Sequence, residues 1–310
     1  MRILVTGAAG YLGSILTPLL LRRGHTVIAL DNFRTGTATS LAACCSYDKF
    51  TLVRGDARDS RTMATLLPKV DAIIPLAAIV GVPACDHDNL AATTTNLQAI
   101  QLLCEKSSQE QLILYPCTNS GYGIGEETKE CTELSPLQPL SIYGRSKVFA
   151  EQGVINRRNS TSFRFATLFG ASPRMRLDLL VNDFTYRALR DKALTLFEGG
   201  FRRNYLHVRD AAAAFMHVLD HPTGVVSQKV FNVGLSSANL TKRQLCEKIR
   251  TYIPDFTWAE SETGTDPDKR DYTVSNAKFE ATGWLPQYTL DEGIQELIKL
   301  YQAPFESYRN

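Results

Sequence analysis

Tyr143 and Lys147 stand four positions apart in Tyr143-Gly144-Arg145-Ser146-Lys147, within a stretch whose apolar spacing predicts a helix over 142–157. Positions four apart share a helix face, so the phenol and the ammonium point the same way. A cation beside a phenol favours the phenolate and lowers its pKa from about 10 towards working pH. A tyrosine so placed takes a hydroxyl proton as hydride leaves the same carbon. Tyr-x-x-x-Lys also arises by chance in chains of this length, as an idle pair on a surface helix. Thr118 supplies the missing context, because it closes a strand-like run 25 positions before Tyr143. That places a hydroxyl on the carboxyl edge of a parallel sheet, where ligands of such sheets sit. There it holds the reacting oxygen and shares a proton with the phenol.

Hydride chemistry needs an acceptor, and the first residues offer a place for one. Gly7-x-x-Gly10-x-x-Gly13 joins an apolar strand (Ile3, Leu4, Val5) to an amphipathic helix (Leu12, Ile15, Leu16, Leu19, Leu20). Gly7 permits the tight turn, Gly10 lets backbone approach a pyrophosphate, and Gly13 lets helix and strand pack closely. The helix N-terminus presents free N–H groups to the negative charge. A second strand, Thr26-Val27-Ile28-Ala29-Leu30, ends at Asp31. An acid there bonds both hydroxyls of an adenosine ribose and repels a 2′-phosphate, which selects NAD over NADP.

These residues need a scaffold, and the chain is large enough to build one. Its 310 residues are 44% hydrophobic with a formal charge of +2, sufficient for one sizeable core and a smaller lobe. Candidate strands at 2–6, 26–31, 50–54, 71–76, 111–117 and 162–167 are short apolar runs of the kind buried in parallel sheets. Helical patterns near 11–23, 60–67, 89–106 and 142–157 lie between them. The alternation predicts an α/β fold, a doubly wound parallel sheet of the Rossmann type with right-handed crossovers. Beyond about 170 the rhythm changes to helices near 177–191, 210–220, 241–251 and 291–302 between proline-bearing loops. We therefore expect an NAD-binding domain over 1–168. A smaller mixed C-terminal substrate lobe follows over 169–310, and segments near 203–231 return to the first domain.

Composition excludes several classes of partner. The near-neutral charge forms no basic stripe, which argues against nucleic acid. No apolar run is long enough to span a bilayer, and a strand starting at Arg2 leaves no room for a targeting peptide. Seven cysteines without a C-x-x-C spacing read as reduced thiols, so a cytoplasmic location is expected. His217 and His221 lie one helical turn apart, yet lack the acid of a zinc motif, and Pro222 stops the helix; no metal site is expected. Gly121-x-Gly123-x-Gly125 reads as a pliant loop rather than a phosphate cradle. Cys117 reads as a small apolar residue ending a strand rather than as a nucleophile.

With these motifs in hand the chain resembles the extended short-chain dehydrogenase/reductase family, the NAD-dependent nucleotide-sugar epimerases and dehydratases. The matching residues run from Thr6 to Gly13, then Asp31-Asn32-Phe33, Gly55-Asp56-Ala57-Arg58-Asp59, Leu76-Ala77-Ala78 and Tyr143-x-x-x-Lys147. They end with Arg203-Asn204-Tyr205-Leu206-His207-Val208-x-Asp210 and Phe231-Asn232-Val233-Gly234. The resemblance implies that Asp56 and Ala57 contact adenine, that Ala77 lines the nicotinamide side, and that Lys147 also binds the nicotinamide ribose. Tyr11, Leu12, Asn32, Leu76, Ala78 and Asn96 complete the implied cofactor set. Arg203 and Arg270 would hold a sugar-nucleotide diphosphate with help from Asn182, guanidinium forks being well suited to phosphate oxygens. A homodimer through the helices near 89–106 and 142–157 is likewise implied.

Departures from the family narrow the reaction. Its 4,6-dehydratases follow the catalytic Thr with Asp-Glu, and its decarboxylases keep a Glu. Here Asn119-Ser120 follows Thr118, and neither does ionisable work. Oxidation at C4 remains, alone or as the first half of a 4-epimerisation. The stretches Thr118–Glu126, Ser172–Phe184 and Asp266–Asp271 are similar to the GDP-D-glycero-α-D-manno-heptose 4-dehydrogenases of capsule polysaccharide biosynthesis. Asn119, Ser120, Arg174 and Arg176 join the expected substrate contacts, with Arg174 and Arg176 on the sugar or on a partner subunit. A non-catalytic NAD-binding regulator on the same fold is the reading from another class. Such proteins usually lose the Tyr/Lys pair that this chain keeps.

Overall fold

A computed structural model describes residues 1–126, 128–221, 229–261, 263–264 and 268–303. Pro222, part of the 203–231 interval, and Asp266 and Pro267 lie outside the described residues.

Seven strands make one parallel sheet: β1 (Arg2–Thr6), β2 (Thr26–Asp31), β3 (Phe50–Arg54), β4 (Ala72–Pro75), β5 (Leu112–Thr118), β6 (Ser160–Phe165) and β10 (Lys229–Val233). Their order is β10-β6-β5-β4-β1-β2-β3. The chain winds one way from β1 through β2 and β3, and the other way through β4, β5 and β6. The topological switch therefore falls between β1 and β4, where doubly wound sheets bind ligands beyond their carboxyl ends. Helices cover both faces, so alternate residues of one strand enter different cores: Ile3 and Val5 pack with Leu114 and Phe163, whereas Leu4 packs with Ile73, Ile113 and Tyr115. That double burial is why β1, β4 and β5 read as apolar runs.

α1 (Gly13–Arg22) follows β1, and α2 (Ser60–Leu66) follows β3. α3 (Val82–His87) comes after β4. α4 (Asn89–Thr93), a π turn (Thr94–Gln98) and α5 (Ala99–Lys106) then run on as one rod. α6 (Ile142–Ile155) carries Tyr143 and Lys147. Its inner face is tied to β6 by a buried ion pair, Glu151 Oε2 with Arg164 Nη2 at 2.7 Å. Ser162 Oγ donates to Glu151 Oε1 at 2.6 Å.

The smaller lobe holds β7 (Thr167–Phe169), β9 (Arg202–His207) and β11 (Asn239–Thr241) in one sheet, with β8 (Ala193–Leu196) and β12 (Thr257–Glu260) in another. Its core joins α7 (Leu180–Arg190), α9 (Lys242–Tyr252) and α10 (Leu290–Gln302) through Val181, Phe184, Leu245, Ile249, Ile294 and Leu297. The interval near 203–231 divides. β9 belongs to the lobe, whereas α8 (Val208–Asp220) and β10 pack into the first core through Ala211, Phe215, Phe231 and Val233. No helix among the described residues is long and apolar enough to cross a membrane.

Candidate active site

The β1–α1 turn is built around a close approach. Gly7 has φ +69°, and a Cβ there would lie 2.6 Å from the backbone N of Ala77. A Cβ on Gly13 would lie 2.4 Å from Gly7 O. Both positions exclude side chains, by steric contact and, at Gly7, by backbone conformation as well. No side chain caps the N-terminus of α1, and no acid sits in its first turn. Its first N–H groups thus face the switch point without a protein anion, which suits a pyrophosphate.

Asp31 braces this turn. Its Oδ2 accepts from Ala9 N–H and its Oδ1 from Phe33 N–H, each at 2.8 Å. Asp56 accepts from Asn32 Nδ2 at 3.1 Å. The hydrogen bonds from Arg58 hold its carboxyl down at about 2. Leu76, Ala77 and Ala78 form the half-buried end of β4 beside Gly7. Asn96 plays a different part from the one its motif implied. It is 1% exposed. Its amide closes on Ile79, accepting from the N–H and donating to the C=O at 2.8 Å each. The π turn delivers Asn96 to that point, and the residue acts on the cofactor cleft by fixing the loop after β4.

Thr118 stands at the carboxyl end of β5, and Tyr143 lies in the first turn of α6, the helix that packs on β5. Thr118 Oγ1 accepts from Ser120 N–H at 3.1 Å and donates to Ser120 Oγ at 2.8 Å. Ser120 Oγ in turn accepts from Arg270 Nη1. Asn119 is 1% exposed, with neither amide atom hydrogen-bonded. The ring of Tyr143 packs against Ile79, Cys85 and Ala92, the loop that Asn96 fixes.

The electrostatics correct one expectation. Burial pushes the Tyr143 hydroxyl up to about 12, and the charges that oppose this are Arg176 and Arg270 rather than Lys147. Lys147 is 3% exposed, and its Nζ lies over the Tyr115 ring, 4.3 Å from the centroid. Burial lowers its ammonium to about 8. Sharing a helix face was therefore not enough to make Lys147 the charge that Tyr143 feels. The protonated form is disfavoured by folding, so stability attributable to Lys147 rises with pH between about 8 and its unfolded value. Lys147→Met should abolish turnover yet melt several degrees higher near pH 7, as read by activity and calorimetry together.

The arginines separate into two groups. Arg203, 2% exposed, donates through Nη1 to Arg270 O and through Nη2 to Asp268 O at 3.0 Å. Arg270 is clamped by Asp268, with Nε to Oδ1 at 2.5 Å. The two guanidiniums hold the Asp268 carboxyl well below the usual range, against the effect of its burial. Arg174 and Arg176 lie elsewhere and apart. Arg174 reaches Thr35 O, past Asp31, whereas Arg176 pairs with Asp178 beside Gly81 and lowers the Tyr143 pKa. Asn182 is engaged by its own loop. It is fully buried, accepting from Gly170 N–H at 3.0 Å and donating to Arg176 O at 2.9 Å. A polar residue in the first turn of α7 has secured its own loop.

Sequence reasoning missed Asp268 and Glu151. Glu151 follows Lys147 by four, as Lys147 follows Tyr143, so the face that carries the chemistry continues into the core. Gly123, φ +69°, is required by the Gln138 carbonyl, 2.1 Å from where its Cβ would sit, which makes the loop a packing contact. Cys117 is buried and its thiol is pushed well up. His217 Nε2 meets Thr282 Oγ1 at 2.9 Å; among the described residues no His, Cys, Asp and Glu cluster is arranged to hold a metal ion.

Known proteins share this arrangement. Residues 3–234 match the profile of the NAD dependent epimerase/dehydratase family. The chain is 33% identical to the "Uncharacterized UDP-glucose epimerase YtcB" of Bacillus subtilis (strain 168), covering 98% of this chain and 100% of that one. It is 26% identical to UDP-glucuronic acid decarboxylase 1 of Danio rerio, over 100% of this chain and 74% of the other. The crystal structure of DesIV, a dTDP-glucose 4,6-dehydratase from Streptomyces venezuelae with NAD bound, superposes with a TM-score of 0.84. Identity to it is 25%, and 98% of each chain is covered. A glycine cradle at the switch point, a hydroxyl–phenol–ammonium set on β5 and α6, and a match over residues 3–234 agree: the chain belongs to the NAD dependent epimerase/dehydratase family, with NAD as its cofactor.

Proposed function

We propose that this protein oxidises C4 of a nucleotide-activated sugar, with GDP-D-glycero-α-D-manno-heptose as the substrate and surface polysaccharide synthesis as the setting. The observation that supports the reaction is the link from Thr118 through Ser120 to Arg270, whose charge also acts on Tyr143. Tyr143 Oη takes the proton of the C4 hydroxyl, and Thr118 Oγ1 holds that oxygen. Lys147 orients the cofactor ribose. Bound NAD supplies the hydride acceptor and a positive ring nitrogen that favours the phenolate. The turn Gly7–Gly13 with Asp31, Asn32, Asp56, Ala57 and Leu76–Ala78 would hold it. Arg203 and Arg270 receive the diphosphate in exchange for Asp268, and Arg176 faces the sugar. The unpartnered amide of Asn119 supports a polar contact to the sugar without supplying an acid or base.

A 4-epimerase is the second reading, favoured by the 33% identical relative whose name is a UDP-glucose epimerase. Both readings use the same three side chains. Retention of Tyr143 and Lys147 stands against a non-catalytic regulator. A cytoplasmic homodimer is part of the proposal: Leu90 and Phe149, 75% and 55% exposed, lie on the two helical segments expected to meet. Mass spectrometry after mixing protein, NAD and the GDP-heptose separates the outcomes. We expect a product lighter by two hydrogens. An isomer of unchanged mass makes the enzyme an epimerase, and loss of water overturns the use made of Asn119 and Ser120.

A further inference from the structure

Residues 170–178 form a strap beside the β1–α1 turn, fastened at both ends and in its middle. At one end it grips the β1–α1 turn. Tyr11 Oη donates to Gly170 O at 2.6 Å, and Ser172 Oγ donates to Tyr11 O at 2.7 Å and meets Ser14 Oγ at 3.0 Å. From the middle Arg174 Nε and Nη2 donate to Thr35 O at 3.2 and 3.1 Å, four residues past Asp31. At the other end Asp178 and Arg176 lie by Gly81, 3.6 and 3.8 Å from where its Cβ would be. From behind, Ala171 N–H donates to Glu296 Oε2 at 3.1 Å. A segment tied to the phosphate turn, to the adenosine side and to the nicotinamide side passes over the space between them, which a bound dinucleotide fills.

Arg174 is the charge the strap sets at the adenosine end. One N–H from Nη1 goes to Met175 O at 3.0 Å, which leaves an N–H on each Nη for a ligand. Its carboxylate neighbour, Asp31, already accepts from Ala9 and Phe33. Burial and the charge of Arg176 disfavour the guanidinium here, Asp178 and Asp31 offset them only in part, and an anionic phosphate would add to that offset.

We propose that Arg174 is a cofactor-binding residue and that the 171–178 strap locks NAD in place between turnovers. The proposal rests on the NAD site described above. Load wild type and Arg174→Ala with NADH, then follow its fluorescence as a large excess of NAD displaces it; in parallel, measure ADP-ribose and adenosine affinity by calorimetry. We expect release to quicken at least about tenfold, with ADP-ribose weakened and adenosine unchanged. Ser172→Ala, which cuts the tether to the β1–α1 turn while keeping both arginines, should also quicken release. Unchanged release from Arg174→Ala overturns the proposal, as does equal weakening of adenosine and ADP-ribose. Failure of the wild type to bind NADH at all would instead overturn the cofactor site itself.

Discussion

Tyr143→Phe loses turnover and keeps its cofactor. The phenol is the group placed to take the hydroxyl proton, and removing such a group typically costs about 10²- to 10⁴-fold in rate. The ring of Phe retains the packing on Ile79, Cys85 and Ala92, so folding and NAD content should match the wild type. Stopped assays of the purified variant, with bound nucleotide measured on the same sample, check both halves. A variant turning over at the wild-type rate would remove Tyr143 as the group that takes the proton. Burial lifts this phenol to about 12, and Arg176 and Arg270 are the charges that oppose it.

Glu151→Ala is expected to cost about 3–5 kcal/mol of folding stability, the range for breaking one side of a buried ion pair. The partner left behind is the problem. Arg164 has a side chain 7% exposed and gives Glu151 two of its donors, Nη2 at 2.7 Å and Nε at 3.1 Å. Its other contacts are the Tyr122 hydroxyl at 3.1 Å and Glu133 O at 3.3 Å, and neither is an anion. Urea unfolding of the variant gives the number directly. The pair Glu151→Met with Arg164→Met should recover most of the loss, because it removes both charges together. A loss below about 1 kcal/mol would mean that water reaches the guanidinium. Because Glu151 sits one turn beyond Lys147, the single variant should also slow catalysis.

β1, β4 and β5 were legible because they are almost wholly buried and read as apolar runs; β3, an edge strand with no fully buried residue, and β2 still match their expected limits residue for residue. The lobe offered no such signal. Thr167–Phe169 and Asn239–Thr241 are three-residue strands, and the second is half-buried throughout. β10, Lys-Val-Phe-Asn-Val, was visible only as a motif, because nothing local says that it pairs with β6. At the site, short-range spacing carried the glycine turn and the Tyr143/Lys147 pair. Longer-range contacts decided the rest. Asn96 and Asn182 carry amides as apt for a loop as for a ligand, and only the fold shows that Ile79 and Gly170 take them. The Tyr115 ring that receives Lys147 comes from another element. Asp268 stood in a run of charges, where pairing with Arg203 and Arg270 has no local mark.

The place of β10 has a consequence for synthesis on the ribosome. Lys229–Val233 emerges only after α7, α8, β8 and β9 have been made, yet it pairs along the whole of Thr161–Phe165. Until then β6 is an open sheet edge whose side chains are all destined for burial. A nascent chain paused near residue 168 therefore offers an adhesive strand to its neighbours. The same holds for a gene truncated there. The first domain is contiguous in space but not in sequence, so it cannot be expressed alone as a sound unit, and the lobe must be translated before the nucleotide-binding half is sealed.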